Sequence, residues 1–259
     1  MTSRGIGILS WRAHDGLDDI LAGYGAAGLW DLFDEKLIWF QEESDADRAL
    51  ADRHGLPYGG TPDNQGILGG FRNLAAAMSS DIILLLENDL PLIEGHEEVA
   101  RQIEAATEML ANGEAQVVRL RHRKQPGQKF DTLGKYLRYH GEGAMPYLRR
   151  TIRVGKAKRL AGTALYSEEY PDAMFPDFIQ ARDDGGWLIS SACLPWTNQS
   201  IMVRREFLLD EIIAYAEAHP SPRRVNGFPD IEKEWNTPRW RRSGWRVGAT
   251  EGLFTHERP

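Results

Sequence analysis

The chain has 259 residues and a formal net charge of −7, with 42% hydrophobic and 27% charged residues. That balance suits a sizeable core in one or two domains and excludes a disordered or fibrous protein. The longest aliphatic run, residues 82–86, is far short of the roughly 20 residues that span a bilayer, and MTSRGIGILSW lacks a signal-peptide apolar stretch, so the expectation is a soluble, cytoplasmic protein. A single cysteine, Cys193, excludes an internal disulfide and a cysteine-based zinc site.

The charge is unevenly spread. Between Arg119 and Arg159 lie thirteen lysines and arginines against only Asp131 and Glu142. Such a block suits an acidic polymer, a phosphorylated substrate or an anionic membrane surface. Nucleic acid is not expected as a partner, because the chain is acidic overall and carries no helix-turn-helix, zinc-finger or RNP pattern.

In chain order, the first 120 residues alternate short apolar runs with amphipathic stretches. This is the pattern of βαβ units, an α/β fold with a mainly parallel sheet flanked by helices. Strand is predicted over 6–10, helix over 17–26 with its end near Gly28, and strand again over 36–40. Ser44, with Asp47 three residues on, predicts the N-cap of a helix reaching His54, with Gly55 as its stop. After the turn-rich YGGTPDNQGILGG, helix is predicted over 71–78 and a buried strand over 81–86. A helix over 97–112 with Gly113 as its stop, and a strand over 115–120, complete the regular part. Residues 121–190 predict loops and short elements laid over the sheet rather than an independent domain. Regularity returns as strand over 199–203 and helix over 207–219.

Ligands of open α/β sheets gather outside the carboxyl ends of the strands. The predicted strand over 81–86 ends on Glu87-Asn88-Asp89, whose carboxylates can hold a hard divalent cation; the alternative is a polar strand end capping a turn.

LIWFQEESD, DNQGILGGFRNLAAAMSSD and IILLLENDLPL follow one another in an order and spacing that resembles the GT-A fold nucleotide-sugar glycosyltransferases, in particular the large family 2 of inverting enzymes. The likeness covers residues 4–120, is weak through the basic middle and resumes over 194–256. It implies one GT-A (Rossmann-like) domain over 1–259, with 1–120 as the nucleotide-sugar-binding half and 121–259 as the acceptor-binding half. Ser10 and Trp11 then lie where the first strand meets the nucleotide, and Glu42 or Glu43 where an acid meets the base or ribose. Gln41 stands where the family often has Asp, which leaves that choice open. Asn64, Gly66 and Arg72 match the nucleotide-facing segment. Glu87, Asn88 and Asp89 match the metal motif, with Glu in place of the commoner first Asp, so direct coordination falls first to Asp89. GLFTHE resembles the late histidine that many such enzymes add as a metal ligand, here His256.

For the general base the resemblance points to NGFPDIEKEWN, with Asp230, Glu232 and Glu234 as candidates. On a helix beginning near Asp230, Glu234 shares its face while Glu232 points away by about 200°. Spacing counted back from Gly244 ranks Glu232 first and Asp230 second. The activity implied is Mn2+- or Mg2+-dependent transfer of a sugar from a nucleoside diphosphate sugar (a UDP- or GDP-sugar) to a hydroxyl of a glycan or lipid-linked acceptor. It implies inversion, and a place in surface polysaccharide or lipopolysaccharide synthesis at the inner face of the membrane. The segment 121–190 suits an acidic acceptor, with Tyr136, Tyr139, Tyr147, Tyr166, Tyr170, Trp187 and Trp196 as stacking faces and Arg149, Arg150 and Arg153 as cations. Two alternatives stand beside this. One is a non-catalytic nucleotide-sugar or glycan-binding module. The other is a sugar-nucleotide pyrophosphorylase, against which the first strand exits through Ser10-Trp11-Arg12 and not through a GxGTR-type loop.

Overall fold

A strand that is apolar at every position needs cover on both faces, because successive side chains point opposite ways. In the computed structural model, which describes residues 2–128, 131–220, 222, 224–229 and 231–257, such strands lie at the centre of a nine-stranded sheet. In chain order the strands of this sheet begin with β1 (Arg4–Trp11), β2 (Glu35–Gln41), β3 (Tyr58–Thr61), β4 (Ile82–Glu87), β5 (Val117–Arg121), β6 (Ile179–Ala181), β7 (Trp187–Ser190) and β8 (Ile201–Arg204), with β3 and β6 at its two edges. β9 (Arg224–Val225) and β10 (Phe228–Pro229) form a separate hairpin, and β11 (Arg246–Phe254) completes the sheet. The order is β3-β2-β1-β4-β8-β5-β11-β7-β6, with β7 and β8 running against the other seven.

Ile82, Leu84 and Leu86 share one face with Ile6 and Ile8, covered by α1 (His14–Ala26), α2 (Asp45–Arg53) and α4 (His96–Ala111). Ile83 and Leu85 pack with Leu9 on the other face, under α3 (Gly66–Ala77) and the helical segment 207–218. The start of α2 follows the sequence reading. Ser44 accepts from the Asp47 amide at 3.3 Å while the Asp47 carboxylate accepts from the Ser44 amide at 2.9 Å, and Gly55 takes φ +63° just beyond the helix.

Three differences from the sequence reading have physical reasons. α3 begins at Gly66, five residues earlier than predicted, because Leu68 and Phe71 are buried in the core and packing overrides the weak helix propensity of GILGG. The segment 121–190 holds α5 (Asp131–His140), α6 (Ala144–Ile152), α7 (Val154–Lys158) and α8 (Pro171–Met174), yet it also contributes β6 and β7 to the main sheet. Strands of three and four residues are too short to display a period of two. The predicted helix over 207–219 opens as a π-helical stretch, Phe207–Ile213, and continues as α9 (Ala214–Ala218). The chain then forms α10 (Ile231–Trp235) and α11 (Pro238–Arg242). Among the described residues no helix is long and apolar enough to cross a membrane.

Candidate active site

The carboxyl ends of β1, β2, β4, β5 and β11 lie along one edge, beside the residues that lead into the antiparallel β8. At β1 and β2 the chain leaves each strand through a left-handed residue, Arg12 at φ +51° and Glu42 at +55°. The Glu42 carboxylate accepts from the Trp11 indole at 3.1 Å and from Arg12 Nε at 2.6 Å. Trp11 is exposed there, whereas Ser10 is buried within the strand, so of that pair the surface on offer is the indole. Glu43 turns away to Arg48 at 2.8 Å, which separates the two glutamates: Glu42 stands at the strand edge beside Trp11. Gln41 spends its side chain inside, accepting from the Gln65 amide at 2.7 Å at the start of α3.

That start is set by Asn64, whose side-chain Oδ1 accepts from the Gly66 amide at 2.7 Å. Gly66 has φ +67°, and a Cβ there would lie 2.4 Å from Phe228 Cβ, so only glycine lets the β10 ring sit against the helix start. Arg72 does not join the strand ends. It lies on the outer face of α3 and pairs with Glu217 of α9 at 2.9 Å.

At the end of β4, Glu87 accepts from Asn198 Nδ2 at 2.9 Å, Asn88 is half-buried, and Asp89 Oδ2 lies 3.0 Å from His256 Nε2. The imidazole is buried. Its backbone is clasped by the 126–128 turn, where Gln128 donates to the His256 carbonyl at 2.9 Å. A Cβ on Gly127 would fall 2.2 Å from that carbonyl oxygen, so the approach needs glycine. The Tyr24 hydroxyl fixes the following turn by donating to the Leu90 carbonyl at 2.6 Å. Burial, with the Asp89 charge adding to it, holds this phenol well above its usual pKa, so it remains a donor.

Beside these acids opens a cavity of about 520 Å³. Among the described residues its lining includes five cations, Arg119, Arg121, Lys135, Arg159 and Arg241, against one carboxylate, Glu232. Glu232 stands on α10, which Trp235 anchors by donating from its indole to the Ile212 carbonyl at 2.7 Å. The Glu232 carboxylate accepts from the Thr197 hydroxyl at 2.9 Å and from the Asn198 amide at 3.4 Å. Asn198 therefore touches Glu232 with its backbone and Glu87 with its side chain, and its Oδ1 is buried without a hydrogen-bond partner among the described residues. Gln199 makes a parallel link, accepting from Arg121 Nη1 at 3.0 Å and lying 3.5 Å from His256. Burial lowers the Arg121 pKa, with Arg119 adding to the effect and Tyr166, Glu232 and Asp89 opposing it. The Cys193 thiol, also in the lining, is pushed up to about 12 by burial and is no nucleophile at neutral pH.

Of the three acids considered on this helix, Glu232 reaches the cavity. Glu234 is buried outside its lining, and Asp230 lies outside the described residues. The aromatic expectation is corrected. Tyr166 and Trp196 line the cavity, but Tyr136, Tyr139 and Trp187 are buried elsewhere and Tyr147 and Tyr170 are exposed away from it. The cations are corrected too: Arg149 and Arg153 line a separate groove. Sequence reasoning missed Thr197, Asn198 and Gln199. Their signal was a run of amide and hydroxyl side chains directly before an apolar strand.

The donor chemistry at Asp89 and His256 fits a hard divalent cation, one carboxylate and one imidazole in contact. Among the described residues no three His, Cys, Asp or Glu side chains gather to hold a metal unaided, so Glu87, engaged by Asn198, does not complete a protein-only set.

No protein-family model matches the chain, and no curated protein matches it. Solved structures do. Glucosyl-3-phosphoglycerate synthase from Mycobacterium tuberculosis, in complex with Mn2+, uridine diphosphate and glucosyl-3-phosphoglycerate, matches with a TM-score of 0.52 at 13% identity, over 100% of this chain and 73% of that one. The same enzyme with Mn2+, UDP-glucose and phosphoglyceric acid gives 0.52 at 14% identity, over 100% and 73%. A mycobacterial protein gives 0.53 at 14%, over 100% and 68%. With its large, mainly parallel sheet between helical layers, the chain has the fold of these structures, the GT-A fold of nucleotide-sugar transferases.

Proposed function

We propose that the chain is a metal-dependent glycosyltransferase that moves a sugar from a UDP- or GDP-sugar to a hydroxyl of an anionic acceptor, glycan or lipid-linked, with inversion. The observation that carries this is the bridge made by Asn198, which joins the cavity carboxylate Glu232 to Glu87 at the strand end. A proton acceptor and a diphosphate site thereby share one rigid connection. Trp11 offers a face for the nucleobase, and Glu42 hydroxyl-binding oxygens beside it.

Asp89 and His256 would hold Mn2+ or Mg2+, which supplies positive charge against the departing diphosphate. The Glu232 carboxylate takes the proton of the acceptor hydroxyl as that oxygen bonds to the anomeric carbon and the carbon–oxygen bond to the diphosphate breaks. Thr197 and the Asn198 amide hold the carboxylate for that transfer. Arg119, Arg121, Arg159 and Arg241 recognise the acceptor's phosphate or carboxylate. Phosphoglyceric acid and glycerol 3-phosphate are bound in complexes of the structurally similar synthase, which supports a small phosphorylated group as the feature recognised here.

The test is nucleoside diphosphate release from UDP- and GDP-sugars with Mn2+ and a panel of phosphorylated or carboxylated acceptors. Acceptor-dependent release is expected, and Glu232→Gln, which keeps the oxygen that Thr197 binds, lowers kcat about 10²–10⁴-fold with donor affinity intact. A wild-type rate in that variant removes Glu232 as the base and turns attention to Asp230. Donor binding with no release under any acceptor favours the non-catalytic module.

A further inference from the structure

Helix α6 and the groove it forms with α5 and α7 present a surface that sugar transfer does not use. α6 is amphipathic yet buries none of its side chains. Met145, Leu148 and Ile152, spaced i, i+3 and i+7, form one apolar stripe and are 56%, 48% and 69% exposed. A surface helix normally turns such a stripe to the core; here the stripe faces outward, and Val154 at the start of α7 extends it, 51% exposed.

The same face is strongly cationic. From Arg138 to Lys158, leaving aside Lys135 and Arg159 of the cavity lining, there are six lysines and arginines and one acid, Glu142. Among the described residues none of these six makes an ion pair with a carboxylate. A groove of about 520 Å³ runs between the helices, lined by Arg138, Leu148, Arg149, Ile152, Arg153 and Lys156 among others.

We propose that this face docks peripherally on an anionic lipid bilayer, with the stripe entering the boundary of the acyl chains and the cations lying at the level of the lipid phosphates. Charge selects this occupant. A second copy of the chain would bring two cationic faces together, and a soluble polyanion would neutralise the charge but leave Met145, Leu148 and Ile152 in water. An anionic bilayer answers both features at once. Lys135 also lines the cavity that holds Glu232, so docking sets the mouth of that cavity beside the headgroups. The proposal stands apart from the transferase reading, because binding needs no turnover.

The experiment is co-sedimentation of the full chain with vesicles of phosphatidylcholine alone and of an equal mixture of phosphatidylcholine and phosphatidylglycerol, at low and high salt. The wild type is expected to bind only the mixed vesicles, and less at high salt. Arg149→Gln with Arg150→Gln and Arg153→Gln should weaken partition about 100-fold, at roughly fivefold per charge. Leu148→Ser with Ile152→Ser should weaken it by about tenfold or more. Leu148, Ile152 and Arg153 are exposed and Arg149 and Arg150 are half-buried, so an unchanged melting curve is the check that the variants fold. The proposal is overturned if the wild type stays in the supernatant, or if the serine variant binds like the wild type, which would assign the face to soluble polyanions. It is also overturned if sedimentation velocity without lipid shows a dimer that Ile152→Ser dissociates.

Discussion

Arg123 lies two residues beyond the end of β5 and fastens the wall of the cavity. Its buried guanidinium donates from Nε to the Leu165 carbonyl at 2.7 Å, from Nη1 to Glu251 at 2.7 Å and from Nη2 to the Glu168 carbonyl at 2.9 Å. It also stacks on Trp187, 4.2 Å from the ring centroid. Arg123→Ala strands two backbone acceptors, at about 1–3 kcal/mol each when buried, and forfeits the ring contact, worth about 0.5–2 kcal/mol. Glu251 is partly exposed and rehydrates, so it adds little. The terms together span about 2.5–8 kcal/mol; the working figure within that span is about 3–5 kcal/mol, the range for truncating one partner of a buried ion pair. At about 2–4 °C per kcal/mol for a chain of this size, the melting temperature should fall by roughly 6–20 °C. Arg123→Lys restores the charge without the planar fork and should recover only part of the loss. Thr163 and Tyr166, which line the cavity, belong to the fastened segment, so anion binding should weaken as well. Differential scanning calorimetry measures the first effect; a fall of less than about 2 °C would refute the reasoning, since it lies below the cost of a single stranded acceptor.

Two further outcomes follow from charge. Burial lowers the Arg241 pKa, and the neighbouring cations Arg159 and Arg242 lower it further, so this guanidinium is held in place against its own electrostatics. Arg241→Gln should leave the melting temperature unchanged or higher while raising the KM for an anionic acceptor, most clearly at low salt; a marked loss of stability would contradict this. For Glu35, burial tends to raise the pKa, but hydrogen bonds from the Ser80 hydroxyl and the Ser79 and Ser80 amides outweigh it and the net shift is downward. A lowered carboxylate stabilises above its unfolded value and loses that contribution as pH falls below the usual 4.5. Glu35→Gln should therefore melt lower than the wild type at neutral pH, and the two curves should converge in acid.

Features encoded within a few residues were legible in the sequence. Residues 82–86 announce a buried strand with acids at its end, and Ser44 with Asp47 announces a cap that the structure reproduces bond for bond. The order of the strand-end motifs carried the fold. What was not legible depends on residues far apart in the chain. The cavity joins Arg119 and Arg121 from β5, Thr197 to Gln199 before β8, and Glu232 from α10, and no local period links them. Arg149, Arg150 and Arg153 misled because a basic run on an exposed helix reads the same as one facing a cleft. Arg72 misled for a related reason: its distance from Gly66 fits the motif, but a helix turns, and the position faces Glu217.

In the proposed function Asp89 and His256 form a metal-assisted nucleotide-sugar site. The most direct measurement is thermal stabilisation of the wild type and of Asp89→Asn by UDP- and GDP-sugars, with Mn2+ or with chelator. A ligand at a hundredfold over its Kd adds about 2.7 kcal/mol, or roughly 5–10 °C here. That shift is expected for the wild type with Mn2+ and one class of nucleotide, as is its loss both with chelator and in Asp89→Asn. An equal shift under all three conditions, or none with any nucleotide sugar, would contradict it.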